Sequence, residues 1–283
     1  MAGSEFSPSR IGALVRLLAD DDERIRRIAR ENLIAAGGRA LSIVEESARG
    51  AEDPQVRVAA KRFLKEAHRE EAFHSWNSFA AGTQLDLETG AFLIAKSEFP
   101  EFDPDPCRQT LDGYAEVLKK RLAAIRSPDA IIERINALLF KDLGFRGNRD
   151  DYYDPLNSYL NTVMERKVGI PISLCAIYLL VSRRLGLKVD GVGMPGHFIL
   201  SYRAGRHARF IDAFDRGKRW THQDCLDHLV KEGYGFREEY RRPADDREIL
   251  VRMLANLLGI YHSRQDAART DRITRMLAAI QQK

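Results

Sequence analysis

Residues 169–186 read GIPISLCAIYLLVSRRLG, and this stretch decides the fold. Its apolar residues lie nearly all round a helical axis, so other elements should cover most of the helix surface. Pro171 suits the first turn of a helix and Gly186 suits a left-handed C-terminal cap, which predicts a helix from Pro171 to about Arg184. The apolar run is too short to span a bilayer. We therefore predict that this helix is the buried centre of a globular core.

The sequence after this helix has the pattern of strands. β-branched and alternating residues fill 187–192, 197–202 and 209–213. Turn-forming residues separate these segments at 194–196 and 204–205. The pattern predicts an antiparallel sheet packed on the central helix, and hence an α+β core.

Two polar residues lie within these apolar strands. His197 follows a Pro-Gly turn at the start of the second predicted strand, and Asp212 lies in the third. An unpaired buried carboxylate is costly, and an imidazole on the neighbouring strand would satisfy it while being held in one tautomer. We therefore predict that His197 and Asp212 pair. Taken alone, His197 could equally be a hydrogen-bonded core residue.

Ser173 and Cys175 are the candidate nucleophiles, because both lie near the first turn of the central helix. There the helix dipole favours a thiolate, and free backbone amides can stabilise an oxyanion. Positions two apart on a helix differ by about 200° in direction, so only one of them can face His197. The alternatives are a small buried apolar residue for Cys175 and a hydroxyl bonded to backbone for Ser173.

The N-terminal part of the chain has a helical pattern with a short internal repeat. Residues 22–33 align with residues 53–64 at an offset of 53 − 22 = 31, each with an acidic helix start followed by apolar residues at helical spacing. We predict a HEAT-like helical array over residues 8–70, with a plain helical bundle as the alternative. Residues 71–140 are predicted as a helical lead-in and residues 246–283 as a C-terminal helix pair, similar to tetratricopeptide repeats.

Composition limits the classes of function. The 283 residues are 44% apolar and 30% charged, and Lys and Arg exceed Asp and Glu by 45 − 41 = 4, which gives no electrostatic case for nucleic acid. Three separated cysteines, Cys107, Cys175 and Cys225, favour a reducing cytoplasm over a disulfide framework. We expect a cytoplasmic protein without membrane insertion. Residues 1–6 read like a cloning remnant.

No metal or organic cofactor is expected. The acidic residues Asp150, Asp151 and Asp154 match no regular metal-binding loop in their spacing. The sequence contains no glycine-rich phosphate loop and no dinucleotide fingerprint. The same region contains Asn157, which follows Asp154-Pro155 at the start of a predicted helix that ends at Glu165. Asn157 is either a cap for that helix or part of a groove.

Several motifs together resemble one family. These are residues 145–148 (FRGN), 152–160 (YYDPLNSYL), 169–174 (GIPISL), 191–198 (GVGMPGHF) and 211–212 (ID). They closely resemble the SirB-type branch of the transglutaminase-like superfamily, whose core domain also occurs beside an F-box in eukaryotic ubiquitin-ligase adaptors. The resemblance extends from Leu85 to about Ile260. It implies a papain- or transglutaminase-like core over residues 141–245.

The resemblance also assigns roles to the site residues. His197 and Asp212 take the positions of the superfamily's histidine and aspartate. Active transglutaminases have Gly-x-Cys before the helix, and in this chain the same separation places Pro171 in the cysteine slot. The SirB-type branch usually has a serine at position 173, which makes Ser173 either a displaced nucleophile or a structural hydroxyl. Cys175 is the other candidate.

Two functions follow from this resemblance. The first is acyl transfer or amide hydrolysis on a protein or peptide, with Cys175 or Ser173 as nucleophile, His197 as base and Asp212 orienting the histidine. The second is an inactive module that binds a protein or peptide partner in a regulatory role. In either case we expect a groove beside His197 that includes the neighbourhood of Asn157, Pro171 and Gly196. The oligomeric state stays open.

Overall fold

The protein is described by a computed structural model that covers residues 6–204, 207–235, 237, 240 and 242–282. The chain forms two compact units. The first comprises Met1–His74 with Lys96–Glu101, and the second comprises Ser75–Ala95 with Phe102–Lys283. Most of the predicted cloning remnant, residues 1–5, lies outside the described residues.

The first unit is helical. Its elements are α1 (Pro8–Leu17), α2 (Glu23–Ala36), α3 (Gly38–Gly50) and the greater part of α4 (Pro54–Ala80). Apolar side chains from all four helices form its core, among them Ile11, Val15, Leu33, Val44 and Phe63. Burial of these side chains is the main stabilising term for the unit, because apolar area leaves water.

The predicted repeat has a counterpart in the contacts at the start of α2 and α4. Asp22 accepts a hydrogen bond from the backbone two residues later, at 2.8 Å, and Asp53 does the same at 2.8 Å. Arg26 donates to the carbonyls of residues 20 and 21, and Arg57 donates to those of residues 51 and 52. The same offset therefore relates both the caps and the arginine contacts of the two helix starts.

The second unit contains the remaining helices and the sheets. Its helices are α5 (Leu87–Glu98, of which the last turn belongs to the first unit), α6 (Asp105–Leu122), α7 (Pro128–Asn136), α8 (Leu160–Arg166), α9 (Pro171–Arg184), α10 (His222–Lys231), α11 (Asp246–Ser263) and α12 (Ala267–Gln281). A π-helical turn, Ala137–Asp142, follows α7, and a 3-10 turn, Pro155–Asn157, precedes α8.

The larger sheet is antiparallel. Its strands are β3 (Val189–Met194), β4 (His197–Ala204), β5 (His207–Asp212), β6 (Lys218–Trp220) and β7 (Pro243–Ala244), in the order β6-β5-β4-β3-β7. A separate parallel pair joins β1 (Arg146–Gly147) to β2 (Val168–Gly169). The predicted antiparallel sheet is thus confirmed. The two short edge strands, β6 and β7, were not predicted, because two or three residues are too few to show an alternating pattern.

Helix α9 is the buried centre of the second unit, as predicted. Every residue from 171 to 182 is buried, and the helix packs on β3, β4, α6, α8 and α11. Gly186 follows it with a φ of +68°, the left-handed geometry expected at a C-terminal cap. The mixed helix and sheet core and the C-terminal helix pair α11–α12 are also observed.

The segment before β2 differs from the prediction. Asn157 does not begin a helix, because it ends the 3-10 turn, and α8 starts three residues later at Leu160. The cap belongs to Asp154, whose side chain accepts a hydrogen bond from the backbone of Leu156 at 3.0 Å. An aspartate before proline satisfies the first free amide of a short turn as readily as that of a helix.

Candidate functional site

The site is built on the end of β4 that follows the Pro195–Gly196 turn. In the register of β4 and β5, Leu200 lies opposite Ile211, so continuation of the ladder places Asp212 on the face of the sheet that carries His197. His197 Nε2 lies 2.9 Å from Asp212 Oδ2. Both side chains are largely withdrawn from solvent, with 11% and 6% of their area exposed.

The second oxygen of Asp212 is held by the backbone. Oδ1 accepts hydrogen bonds from the amides of Phe214 at 2.9 Å and Asp215 at 3.2 Å. The carboxylate is therefore fixed in orientation, and its burial is compensated by three hydrogen bonds. Within the described part of the chain, His197 Nδ1 has no hydrogen-bond partner, so it is the nitrogen left to act on another group.

Aromatic rings surround the imidazole. Trp220 stacks on His197 with ring centroids 5.4 Å apart and planes 23° apart, and Phe214 presents its edge at 6.4 Å. The ring centroid of His228, on α10, lies 5.4 Å from that of His197 and 5.5 Å from that of Trp220. Trp220 and His228 were not predicted as site residues. A single Trp on a three-residue strand and a single His within a helix carry no pattern that would reveal them.

The Pro195–Gly196 turn is held by α10. His228 Nε2 lies 2.9 Å from the carbonyl oxygen of Pro195. Gly196 has a φ of +72°, and a Cβ atom there would lie 2.9 Å from the carboxylate of Glu232. Glycine is therefore favoured at this turn because of its left-handed conformation, whereas the flexible side chain of Glu232 could move away from a Cβ atom. Gly196 is exposed beside His197, at the predicted groove.

Pro171 begins α9 and is buried. Proline at the first position of a helix loses nothing, since that amide has no intrahelical partner. It has no group that can attack a carbonyl carbon. The position that the resemblance identifies with the superfamily's cysteine thus holds a residue that suits the helix and carries no nucleophile.

Ser173 is fully buried, and its hydroxyl is used by the backbone. Oγ lies 2.7 Å from the carbonyl oxygen of Asn157 and accepts a hydrogen bond from the amide of Ile170 at 3.1 Å. The hydroxyl therefore ties the start of α9 to the 3-10 turn. Among the described residues it makes no hydrogen bond with His197.

Cys175 is also fully buried. Its thiol donates to the carbonyl oxygen of Phe198, at 3.5 Å, and makes no hydrogen bond with His197 among the described residues. Burial raises the pKa of the Cys175 thiol well above its ordinary value, the charge of Asp212 raises it further, and a hydrogen bond from the backbone of Ala213 lowers it in part. This environment holds the sulfur as a neutral thiol, whereas a reactive cysteine needs the thiolate.

Asn157 is buried and organises the loop before it. Its Nδ2 donates to the carbonyls of Asp151 at 2.7 Å and Tyr152 at 3.3 Å, and its Oδ1 accepts from Asn148 Nδ2 at 3.1 Å. With 0% of its area exposed, Asn157 presents no side-chain surface to a partner. Its satisfied amide fixes the loop that carries Tyr152 and Tyr153.

The described residues contain neither a membrane-spanning helix nor a metal-binding cluster. None of the helices there is long and apolar enough to cross a membrane. No cluster of three or more His, Cys, Asp or Glu residues with metal-binding geometry is found in the same part of the chain.

Comparison with known proteins gives the family. Residues 105–255 match the profile of the transglutaminase-like superfamily. A UPF0162 protein of Xylella fastidiosa strain Temecula1 is 37% identical over 205 residues, which are 70% of this chain and 71% of that protein. F-box only protein 21 of Mus musculus is 35% identical over 142 residues, 46% of this chain and 22% of that protein.

A second UPF0162 protein, from Xylella fastidiosa strain 9a5c, is 38% identical over 194 residues, 66% of this chain and 69% of the relative. No solved structure matched the chain. The matched residues include His197, Asp212 and all of α9. This chain belongs to the transglutaminase-like superfamily.

Proposed function

We propose that the chain is a transglutaminase-like module that binds a protein or peptide partner beside His197 and performs no acyl transfer there. One observation carries the proposal: the first turn of α9 offers His197 no activated nucleophile. Pro171 stands in the cysteine slot, the Ser173 hydroxyl is bonded to backbone, and the Cys175 thiol is buried and bonded to the carbonyl of Phe198. A histidine held by a carboxylate cannot start acyl transfer without such a group.

The surface beside His197 supports a binding role. We call the rings of Tyr153, Tyr152, Phe214, His197 and Trp220 the aromatic strip. Successive centroids along it are 5.2, 5.9, 6.4 and 5.4 Å apart. Tyr153 is 68% exposed at one end. Tyrosine and tryptophan are enriched where proteins bind partners, because one ring buries much area and loses little conformational entropy.

The relatives that carry an F-box point in the same direction. F-box only protein 21 bears a similar core within a longer chain. We propose that the core served as a protein-binding module in both contexts. The helical elements extend this proposal: α1–α4 as a HEAT-like array and α11–α12 as a tetratricopeptide-like pair would offer further partner surfaces. A SirB-type assignment, a cytoplasmic location and boundaries near residues 70, 140 and 245 belong to the same proposal.

The binding role is tested by selecting peptides from a random display library on the full chain. Selected peptides are then titrated against Tyr153→Ser and Trp220→Ala variants. We expect affinity to fall by about tenfold or more, as for aromatic residues at the centre of an interface. Val117→Ser is the control, because Val117 is 40% exposed on α6, outside the strip. Peptides that bind all three variants equally would contradict the proposed groove.

Acyl transfer through Cys175 is the second candidate function. It is favoured by one observation, namely that the thiol is bonded to the carbonyl of Phe198, the residue that directly follows His197 on β4. In that reaction Cys175 attacks, His197 acts as base and Asp212 orients the imidazole. The test is a burst of nitrophenol from p-nitrophenyl acetate. We expect no burst; one that disappears in both Cys175→Ala and His197→Ala would establish the enzyme.

A further inference from the structure

One cavity of the protein is lined by none of the residues of the aromatic strip. It is a cavity of about 440 Å³ in the second unit, bordered by β3, β4, α11 and the end of α12. Phe198 lines it, and Phe198 follows His197 directly on β4, so the two side chains point to opposite faces of the sheet. The volume is in the usual range for pockets that hold small ligands.

Two arginines of α11 line this cavity without an acidic partner. Arg252 Nη2 donates to the carbonyl of Met194 at 3.1 Å and lies 3.5 Å from that of His197. Arg247 donates to the carbonyls of Ile280 and Gly82. All these acceptors are neutral. Throughout the described part of the chain, no carboxylate forms an ion pair with either guanidinium.

The remaining charges of the wall leave a positive excess. Glu248 also lines the cavity, and it pairs with Arg242 through both carboxylate oxygens. Three arginines and one glutamate give 3 − 1 = 2 net positive charges. Charge inside a partly enclosed, low-dielectric cleft attracts an ion of opposite sign more strongly than the same charge on an open surface.

Apart from Gln281, the rest of the lining is apolar. Phe198, Val251, Ala255 and Ile280 supply most of it. An inorganic anion would leave this surface without a partner, and a neutral apolar molecule would leave the guanidinium groups unpaired. Arg252 has more unused donors, since its contacts employ only Nη2, whereas the contacts of Arg247 employ both terminal nitrogens.

We propose that this cavity binds a carboxylate carried on an apolar body, with the carboxylate on Arg252 and the body against Phe198, Val251 and Ile280. The positive charge of Arg247 attracts the same carboxylate from a greater distance. The shared chemistry fits a free aliphatic acid or the C-terminus of a peptide that ends in an apolar residue. The lining of this cavity shares no side chain with the proposed partner groove, so the proposal does not rest on the proposed function.

The test is isothermal titration of the full chain with octanoate, octanamide and inorganic phosphate. We expect saturable 1:1 binding of octanoate, with octanamide and phosphate each weaker by about tenfold or more, because each lacks one half of the recognition. Equal affinity for octanoate and octanamide, or no saturable binding of octanoate, would overturn the proposal. A parallel titration uses an acetylated tripeptide that ends in Leu, with its C-terminus either free or amidated, and it identifies the class of ligand. Tighter binding of the free peptide than of octanoate assigns a peptide C-terminus. The reverse order assigns a free aliphatic acid.

Variants locate the carboxylate. Arg252→Gln should weaken octanoate by about tenfold or more, and Arg247→Gln by less. Arg264→Gln is the matched control, because Arg264 directly follows α11 and donates to a backbone carbonyl, that of Tyr153 at 3.1 Å, but lies outside the cavity. Ala255→Leu fills the apolar part of the cavity without removing a charge, and this variant should abolish the binding of octanoate. Unchanged affinity in both Arg252→Gln and Ala255→Leu would overturn the assignment.

Discussion

At the scale of the residue, the environment of a side chain determines its reactivity more than the residue type does. Asp212 and His197 could be predicted as a pair, because an aspartate in an apolar strand needs a partner and a histidine stood on the neighbouring strand. The direction of the Cys175 thiol could not be predicted. It depends on a hydrogen bond to Phe198, 23 residues away in sequence, which only the packed structure defines.

Tyr178 on α9 gives a prediction about alkaline pH. Its phenol is fully buried, its hydroxyl has no hydrogen-bond partner among the described residues, and burial raises its pKa far above the ordinary value near 10. Above about pH 10 the unfolded chain releases this proton and the folded chain keeps it, so stability falls as pH rises. Below that pH the phenol is protonated in both states and contributes no pH dependence.

We therefore expect Tyr178→Phe to leave the free energy of unfolding at pH 7 unchanged or slightly higher, since the variant removes an unpaired buried hydroxyl. Between pH 10 and pH 11 the variant should lose less stability than the wild type, by up to about 1 kcal/mol. Urea denaturation at both pH values measures this. Parallel losses in the two proteins would contradict it.

At the scale of the element, α9 was predicted from its sequence with its first and last residues nearly unchanged. Pro171 and Gly186 mark its two ends, and apolar residues nearly all round the helix indicate its burial. The segment before it was harder, because Asp154, Asn157 and Ser173 are all residues that cap helices, and their roles depend on which backbone amide each one reaches. Sequence spacing alone does not distinguish these amides.

The start of α9 gives a second prediction. Ser173→Ala removes the hydroxyl that joins the amide of Ile170 to the carbonyl of Asn157, and leaves both buried backbone groups less satisfied. We expect a loss of about 1–3 kcal/mol in the free energy of unfolding. Ser182→Ala is the control, because Ser182 is buried on the same helix and its hydroxyl has no partner among the described residues. That variant should change stability by less than about 0.5 kcal/mol. Equal losses in both variants, measured by urea denaturation, would refute the role of Ser173.

At the scale of the whole molecule, the sequence predicted a helical N-terminal part and an α+β remainder, and both are observed. The repeat could be detected in the sequence because its two helix starts have an aspartate and an arginine at equivalent positions. In the structure both aspartates cap their helices in the same way, and both arginines make the same backbone contacts. The ion pairs that join distant helices of the second unit could not be predicted. They join residues separated by 60 or more positions, for which one sequence contains no local pattern.

Asp246 forms one such ion pair. It lies at the first position of α11, accepts hydrogen bonds from both terminal nitrogens of Arg183 on α9, and accepts another from the amide of Leu87 at the start of α5. Its side chain is 18% exposed, so the pair is only partly screened by water. We expect Asp246→Ala to lower the free energy of unfolding by about 1–3 kcal/mol.

The control for that variant is Glu116→Ala. Glu116 pairs with Lys119 on α6, where both side chains are more than half exposed, and such pairs contribute little. In this variant the free energy of unfolding should fall by less than about 0.5 kcal/mol. Chemical denaturation followed by circular dichroism compares the two. A loss for Asp246→Ala no larger than for Glu116→Ala would show that the ion pair does not stabilise the second unit.

The central claim is that no activated nucleophile faces His197, and the most direct measurement is the rate at which iodoacetamide labels Cys175 between pH 6 and pH 9. Mass spectrometry resolves this site from Cys107, which is partly exposed and serves as an internal reference. We predict that Cys175 is labelled more slowly than Cys107 at every pH, with the same rate in the wild type and in His197→Ala, because burial keeps the thiol protonated. Rapid labelling of Cys175 near pH 7 that collapses in His197→Ala would contradict the account and establish a thiolate activated by histidine.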